Sequence, residues 1–249
     1  AVIMRTTCTA KSNKAADMRE TPDMTKVKSM ARMLLWTDVH KTEYSPMVVQ
    51  HPFASSGFVF ILGDEFPIDI TKNAENLNRW REYIGKKIDD AVTASCIGIM
   101  LNKAYGLTFL KFAEPYLSSA DLSELLADAW IRSENPNMDA NVTKKDLVAM
   151  FNQADKSVLM SLEERIRLSE LDDIITIYRG VTPYNAKNVR ALSWTTNIKK
   201  AEWFANRFGQ RGTVYKTQIS KSKVLAYFMG RGESEIIVNP KELKNLQAI

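Results

Sequence analysis

Three short stretches in the last third of the chain hold the residues best suited to chemistry. Glu233-Ser234-Glu235 sets two carboxylates two positions apart, directly ahead of Ile236-Ile237-Val238. In extended chain that spacing turns both side chains to one side, where like charges are unfavourable unless used or well solvated. Gly230-Arg231-Gly232 before them reads as a flexible basic loop, so the pair stands where a loop enters a buried strand that Pro240 ends. Tyr178-Arg179-Gly180 ends the β-like run 174–178. There an arginine offers a planar fork to a phosphate or a ribose edge, and a glycine lets a ligand approach the backbone. Ser193-Trp194-Thr195-Thr196 closes another such run. In a strand Ser193 and Thr195 share one face and Trp194 takes the other, so two hydroxyls are free to hold a polar ligand or a carboxylate while the indole enters the core. Each stretch also has an ordinary reading: a surface arginine opening a turn, a strand end with Thr196-Asn197 capping a helix, and an exposed acidic strand start.

Other chemistries are disfavoured by composition. The two histidines, His40 and His51, lie in a Pro-rich, loop-like region, which speaks against a His-based triad or a multi-His metal site. The two cysteines, Cys8 and Cys96, form neither a disulfide framework nor a zinc motif, and a reducing compartment is the expected home. A glycine-rich dinucleotide fingerprint does not occur, so a bound dinucleotide is not held in the Rossmann manner. No apolar run approaches the length needed to span a bilayer and the amino terminus lacks an apolar signal core, so the expectation is a cytoplasmic protein without a membrane partner.

The elements that must position the three stretches read as helices first and strands afterwards, an α+β order. Residues 1–32, with seven Lys/Arg to three Asp/Glu and few large apolar side chains, read as a flexible basic tail. Residues 33–169 are acidic, fourteen to nineteen, and mainly helical. Within them Leu77, Trp80, Ile84, Ile88 and Val92 fall on one helical face behind Thr71 or Asn73 as cap. A further helix is expected over 94–104, then one from Ser119 with Leu122, Leu125, Leu126, Ala129 and Trp130 as its stripe, one behind Thr143, and one over 158–171. Trp and Met residues in these stripes read as core. Residues 170–249 are basic, thirteen to seven, and β-rich, with strands expected at 174–178, 189–194, 213–219, 224–228 and 235–238 and one helix at 199–208. Residues 33–249 form either these two regions or one domain.

Taken in order, Tyr178-Arg179-Gly180, Ser193-Trp194-Thr195-Thr196 and Glu233-Ser234-Glu235 resemble the arginine, serine and glutamate signature of the mono-ADP-ribosyltransferases, in the branch that includes cholera-like and clostridial binary toxins and phage-encoded transferases. The match covers residues 170–249. It implies a mainly antiparallel two-sheet core flanked by helices, NAD as co-substrate, and transfer of ADP-ribose to a macromolecule with release of nicotinamide. By position, Arg179 would contact the NAD phosphate or ribose, Gly180 would hold the nicotinamide amide through its backbone, and Ser193 would orient the nicotinamide end and the glutamate, with Thr195 in support. Glu235 would face the nicotinamide ribose and stabilise developing positive charge, and Glu233 would position or deprotonate the acceptor. Glutamate at position 233 accompanies arginine acceptors in that family, so a protein arginine is the expected target of a toxin-like effector. The Trp194-Thr195-Thr196 variant departs from the usual pattern. The aromatic partner of nicotinamide stays open among Phe204, Phe208 and Phe228.

The same residues leave room for other functions. One keeps the NAD site but modifies RNA or DNA, or hydrolyses NAD; another is a non-catalytic nucleic-acid-binding module on the same scaffold, using the basic surface. An antitoxin or inhibitor is not indicated by any motif.

Overall fold

The computed structural model describes residues 19–249, and it is a mixed α+β structure with antiparallel sheets. The first helix, Met24–Leu35 (α1), starts at Asp23, whose side chain accepts from the Lys26 amide, and it buries Val27, Ala31, Leu34 and Leu35. The expected basic tail over 1–32 is therefore not a tail from Met24 onward. Those four side chains recur at helical spacing, and together they bury a stripe that their sparse composition conceals. The remainder of that expectation, residues 1–18 with Cys8, lies outside the described residues.

Short strands follow: His40–Lys41 (β1), Val48–His51 (β2) and Ala54–Ser56 (β3) form one antiparallel sheet, and Phe58–Val59 (β4) pairs with Ile68–Asp69 (β5). His51 is a buried core residue. Its Nδ1 accepts from the Phe53 amide at 3.0 Å, its Nε2 lies 3.3 Å from the Leu35 carbonyl, and its ring meets Trp80 edge-on. Burial pushes its pKa down to about 4, with the neighbouring Arg81 charge acting in the same direction.

The helical layer comprises Ala74–Asp90 (α2), Ala94–Met100 (α3), Gly106–Ala113 (α4), Ser119–Arg132 (α5), Lys144–Gln153 (α6), Lys156–Leu159 (α7) and Leu162–Glu170 (α8). Asn73 caps α2, which buries Trp80 and Ile88, while Val92 falls beyond the helix end and stays exposed. Arg81, also buried, donates to the carbonyls of Leu35 and Thr37 and so satisfies the open C-terminal end of α1. Thr143 and Asp146 form a reciprocal cap on α6, as Ser161 and Glu164 do on α8. α4 has no legible amphipathic stripe because five of its eight residues are buried, on more than one face.

The last region forms a six-stranded sheet: Ile174–Val181 (β6), Ser193–Thr195 (β7), Thr213–Ser220 (β8), Val224–Phe228 (β9), Glu235–Val238 (β10) and Gln247–Ala248 (β11), in the order β11-β8-β6-β7-β10-β9 with every pair antiparallel. β6 and β7 meet through one register pair, Tyr178 opposite Thr195. Hydrogen bonding thus links two three-stranded halves at a narrow seam, where a pair of stacked sheets was expected. The strand expected over 189–194 shortens to β7, because the Leu192 amide donates to the Asn137 side chain and the Ala191 amide to the nearby Val189 carbonyl. One helix, Ile198–Ala205 (α9), is capped by Asn197 and packs on β6. Trp130, Phe151, Trp194, Phe228 and Ile236 belong to one buried cluster, so helical layer and sheet share a core. Each fully buried side chain of this size contributes on the order of 1.5–3 kcal/mol.

Candidate functional site

At the seam between the halves of the sheet lies a cleft of about 310 Å³. Arg179, Gly180, Ser193, Thr195, Glu233 and Glu235, the six residues singled out in the sequence, all line it. Their placement differs from the expectation in three respects. Arg179 does not end a strand: β6 runs on to Val181, with Arg179 opposite Tyr215 and Gly180 opposite Val214. Gly180 is required by a helix, since a Cβ there would sit 1.9 Å from the Ala201 carbonyl oxygen and 2.6 Å from the Ala205 nitrogen of α9. The two glutamates do not alternate along a strand. Glu233 has helical φ/ψ and Ser234 is left-handed at φ 45°, so a tight turn delivers Glu233 and the first residue of β10 delivers Glu235.

Glu235 is buried and held from two directions. Ser193 Oγ donates to its Oε1, and the indole Nε1 of Trp130 lies 3.2 Å from both carboxylate oxygens. Thr195 holds the turn rather than the carboxylate: its Oγ1 donates to the Glu233 carbonyl at 2.6 Å and accepts the Asn197 amide at 3.0 Å, tying the glutamate turn to the cap of α9. Trp194 points the other way into the core, where its Nε1 donates to the Ala191 carbonyl. The strand alternation expected for 193–195 is therefore present.

Arg179 supplies the positive charge on the floor. Its Nη1 donates to the Ser193 carbonyl at 2.6 Å, and its Nε is buried with no hydrogen-bond partner among the described residues. Desolvation pushes its pKa down to about 10, against the opposing pull of the Glu235 carboxylate. Lys144 on α6 is held below the usual lysine range by burial and by the Arg179 charge. Arg179 nonetheless lines the cleft, and a guanidinium there suits an acceptor group such as a phosphate or hydroxyl oxygen.

The rim holds residues that single-stretch reasoning missed. Arg207 sits over three rings, Trp203 at 5.1 Å, Phe204 at 5.3 Å and Phe208 at 5.0 Å, and forms no ion pair among the described residues. Of the aromatics considered, Phe204 lines the cleft, Phe208 is largely exposed beside it at a left-handed φ of 58°, and Phe228 is buried in the core. On the opposite side Glu134, Asn135, Pro136 and Asn137 form the wall. In the sequence, Asn135-Pro136-Asn137 reads only as a helix-ending turn. Trp130 was legible as core, which it is, but its N–H bond to Glu235 joins positions 105 residues apart and left no local trace.

Among the described residues no group of His, Cys, Asp and Glu is arranged to hold a metal ion, and no helix is long and apolar enough to cross a membrane. Cys96 is exposed and unpaired as a disulfide. No protein-family model matches this chain, and no curated protein or solved structure matches it.

Proposed function

We propose that the protein is an NAD-dependent mono-ADP-ribosyltransferase whose acceptor is a protein arginine side chain. The observation that carries this reading is the pairing of a buried, doubly held carboxylate, Glu235, with the desolvated guanidinium of Arg179 on the floor of one cleft, with a second carboxylate-bearing residue, Glu233, on the turn above. A diphosphate-linked dinucleotide fits the donor set. Arg179 and Arg207 both line the cleft, and Arg207 at the rim is a cation without a carboxylate partner among the described residues. Bound there, NAD supplies a glycosidic bond whose cleavage releases neutral nicotinamide and leaves positive charge on the ribose carbon that the acceptor nitrogen attacks.

Within that reading each residue of the chain has a defined task. Arg179 and Arg207 bind the phosphates, and the ring of Phe204, which lines the cleft, offers a face to the nicotinamide. Glu235 stabilises the positive charge, since a fixed carboxylate in a low-dielectric site acts without reorganising. Ser193 orients Glu235. Thr195 holds the turn of Glu233, which takes the proton that the attacking guanidine nitrogen loses. Gly180 serves close helix packing and lends only backbone to the cleft.

A second acceptor class, RNA or DNA, is favoured by one observation: Trp203 is exposed at the rim beside Lys200 and Arg207, a pairing of ring and cation that suits a stacked base. The experiment that separates the readings is incubation with tagged NAD and cell lysate beside Glu235→Gln, followed by protease or nuclease digestion of the labelled product. Label lost to protease is expected; label lost to nuclease moves the acceptor to nucleic acid. Glu235→Gln is expected to lower nicotinamide release by ~10³-fold. Wild-type release by that variant would remove the proposed chemistry altogether.

A further inference from the structure

We infer that Trp130 is a positioning residue for Glu235, so that the helical layer, and not the sheet alone, sets the orientation and ionisation of the proposed catalytic carboxylate; this rests on the reading of the site given above. A buried indole N–H needs an acceptor, and a backbone carbonyl satisfies it at no cost in charge. Trp194 shows that solution, donating at 3.0 Å to Ala191 three residues away. Trp130 takes the more demanding one. Its N–H crosses from α5 to β10 and lies at 3.2 Å from Oε1 and equally from Oε2. A donor equidistant from both oxygens fixes where the carboxylate sits, while Ser193 holds Oε1 from the strand beside it and so sets its rotation.

The indole is itself fixed. Trp130 meets Phe151 of α6 edge-on with centroids 5.1 Å apart, Phe151 meets Phe228 of β9 at 6.4 Å, and Phe228 pairs in register with Glu235. The contacts close a ring from the carboxylate through two helices and back to the strand that bears it. The residue after Trp130 also reaches the site's loop: a Cβ on Gly230 would touch Ile131 at 3.4 Å. One helix end therefore underlies both Glu235 and the turn that presents Glu233.

The chemical consequence concerns ionisation. An N–H donated to the carboxylate favours its charged form, opposing the burial that disfavours it. Other charged groups around Glu235 are Arg179 from β6, with Lys144 of α6 beyond it, Glu233 on the turn, Glu134 past the end of α5 and Arg207 at the rim past α9. Removing the indole donor leaves those in place and raises the pKa of Glu235, so the acid limb of activity moves to higher pH.

The test is Trp130→Phe, which keeps an aromatic ring against Phe151 and deletes the donor. Expected are a fall of ~10-fold in kcat for nicotinamide release, an unchanged KM for NAD, and an acid limb of the kcat profile shifted upward by roughly one unit. A merely structural tryptophan would lower stability without moving that limb. Profiles of the variant and wild type that superpose, with Glu235→Gln inactive in the same assay, would overturn this inference and leave the site intact; activity in Glu235→Gln would overturn the site reading instead. A second measurement needs no variant at position 130. Of the five indole N–H signals in the NMR spectrum of the wild type, one is expected to titrate with the acid limb and to lose that titration in Glu235→Gln. Five signals unmoved by Glu235→Gln would overturn the inference equally.

Discussion

The six-stranded sheet and the helical layer face one cleft with different chemistry. The sheet brings most of the charges at the centre: Arg179 from β6, Glu235 from β10 and, on the turn before it, Glu233. The helical layer brings a neutral donor, the Trp130 indole, a neutral acceptor, the Asn137 side-chain oxygen, and the Glu134 carboxylate on the wall, while the buried His51 of β2 is satisfied by an amide and a carbonyl outside the cleft. Charged groups at a site need a rigid frame, and here the frame is a different kind of structure from the part that carries them. The contrast teaches that burial means two things in this molecule. At β2 it silences a histidine; at β6, as at Arg165 of α8, it leaves an arginine with an unmet donor.

Three experiments break or sharpen that contrast. The largest effect is expected at the joint between helix and sheet: Gly180→Ala places a methyl group on the backbone of α9, and it should destabilise the fold by about 4 kcal/mol, read as a fall in the denaturation midpoint. A variant as stable as wild type would mean that α9 is free to move off β6. The next effect belongs to His51 of β2, packed against Trp80 of α2. His51 has a folded pKa of about 4 against 6.5 unfolded, so the unfolded chain binds more protons between those values. Its contribution is complete above pH 6.5 and is lost as pH falls toward 4, a change of about 3 kcal/mol. His51→Gln should flatten the pH dependence of stability in that window while costing stability at pH 7, as followed by chemical denaturation; an unaltered slope would place the acid sensitivity elsewhere. The smallest effect is expected on the turn: Glu233→Gln should lower transfer to an arginine acceptor by ~10-fold or more with nicotinamide release to water changed little, because it touches the acceptor's proton and not the ribose. Equal losses in both reactions would assign Glu233 to the cleavage step as well.

The mainly helical region ahead of a β-rich one, the caps at Asn73, Thr143 and Asn197, strands β9 and β10 and the alternation of Ser193, Trp194 and Thr195 were legible in the sequence, because each rests on local spacing or a local hydrogen bond; the five short strands between α1 and α2 were not. Also legible was the list of six cleft residues, though not the reasons for several of them. α1 was hidden by its sparse apolar stripe and α4 by burial on more than one face. Arg179 was misplaced to a strand end because Gly180 looks like a terminator, whereas the ladder with β8 continues through it. The geometry of the glutamate pair was misjudged because nothing local announces a left-handed Ser234.

The sequence by itself determined which side chains carry charge and which segments favour helix or strand. Only the tertiary structure decided that Trp130 meets Glu235 across 105 residues, that Gly180 yields its space to a helix, and that Arg207 rests on three rings at the mouth of the cleft. The physical reason is range. Propensity, capping and alternation act over a few residues, while the partner of a buried polar group is fixed by packing, which brings together whatever the chain places on facing surfaces.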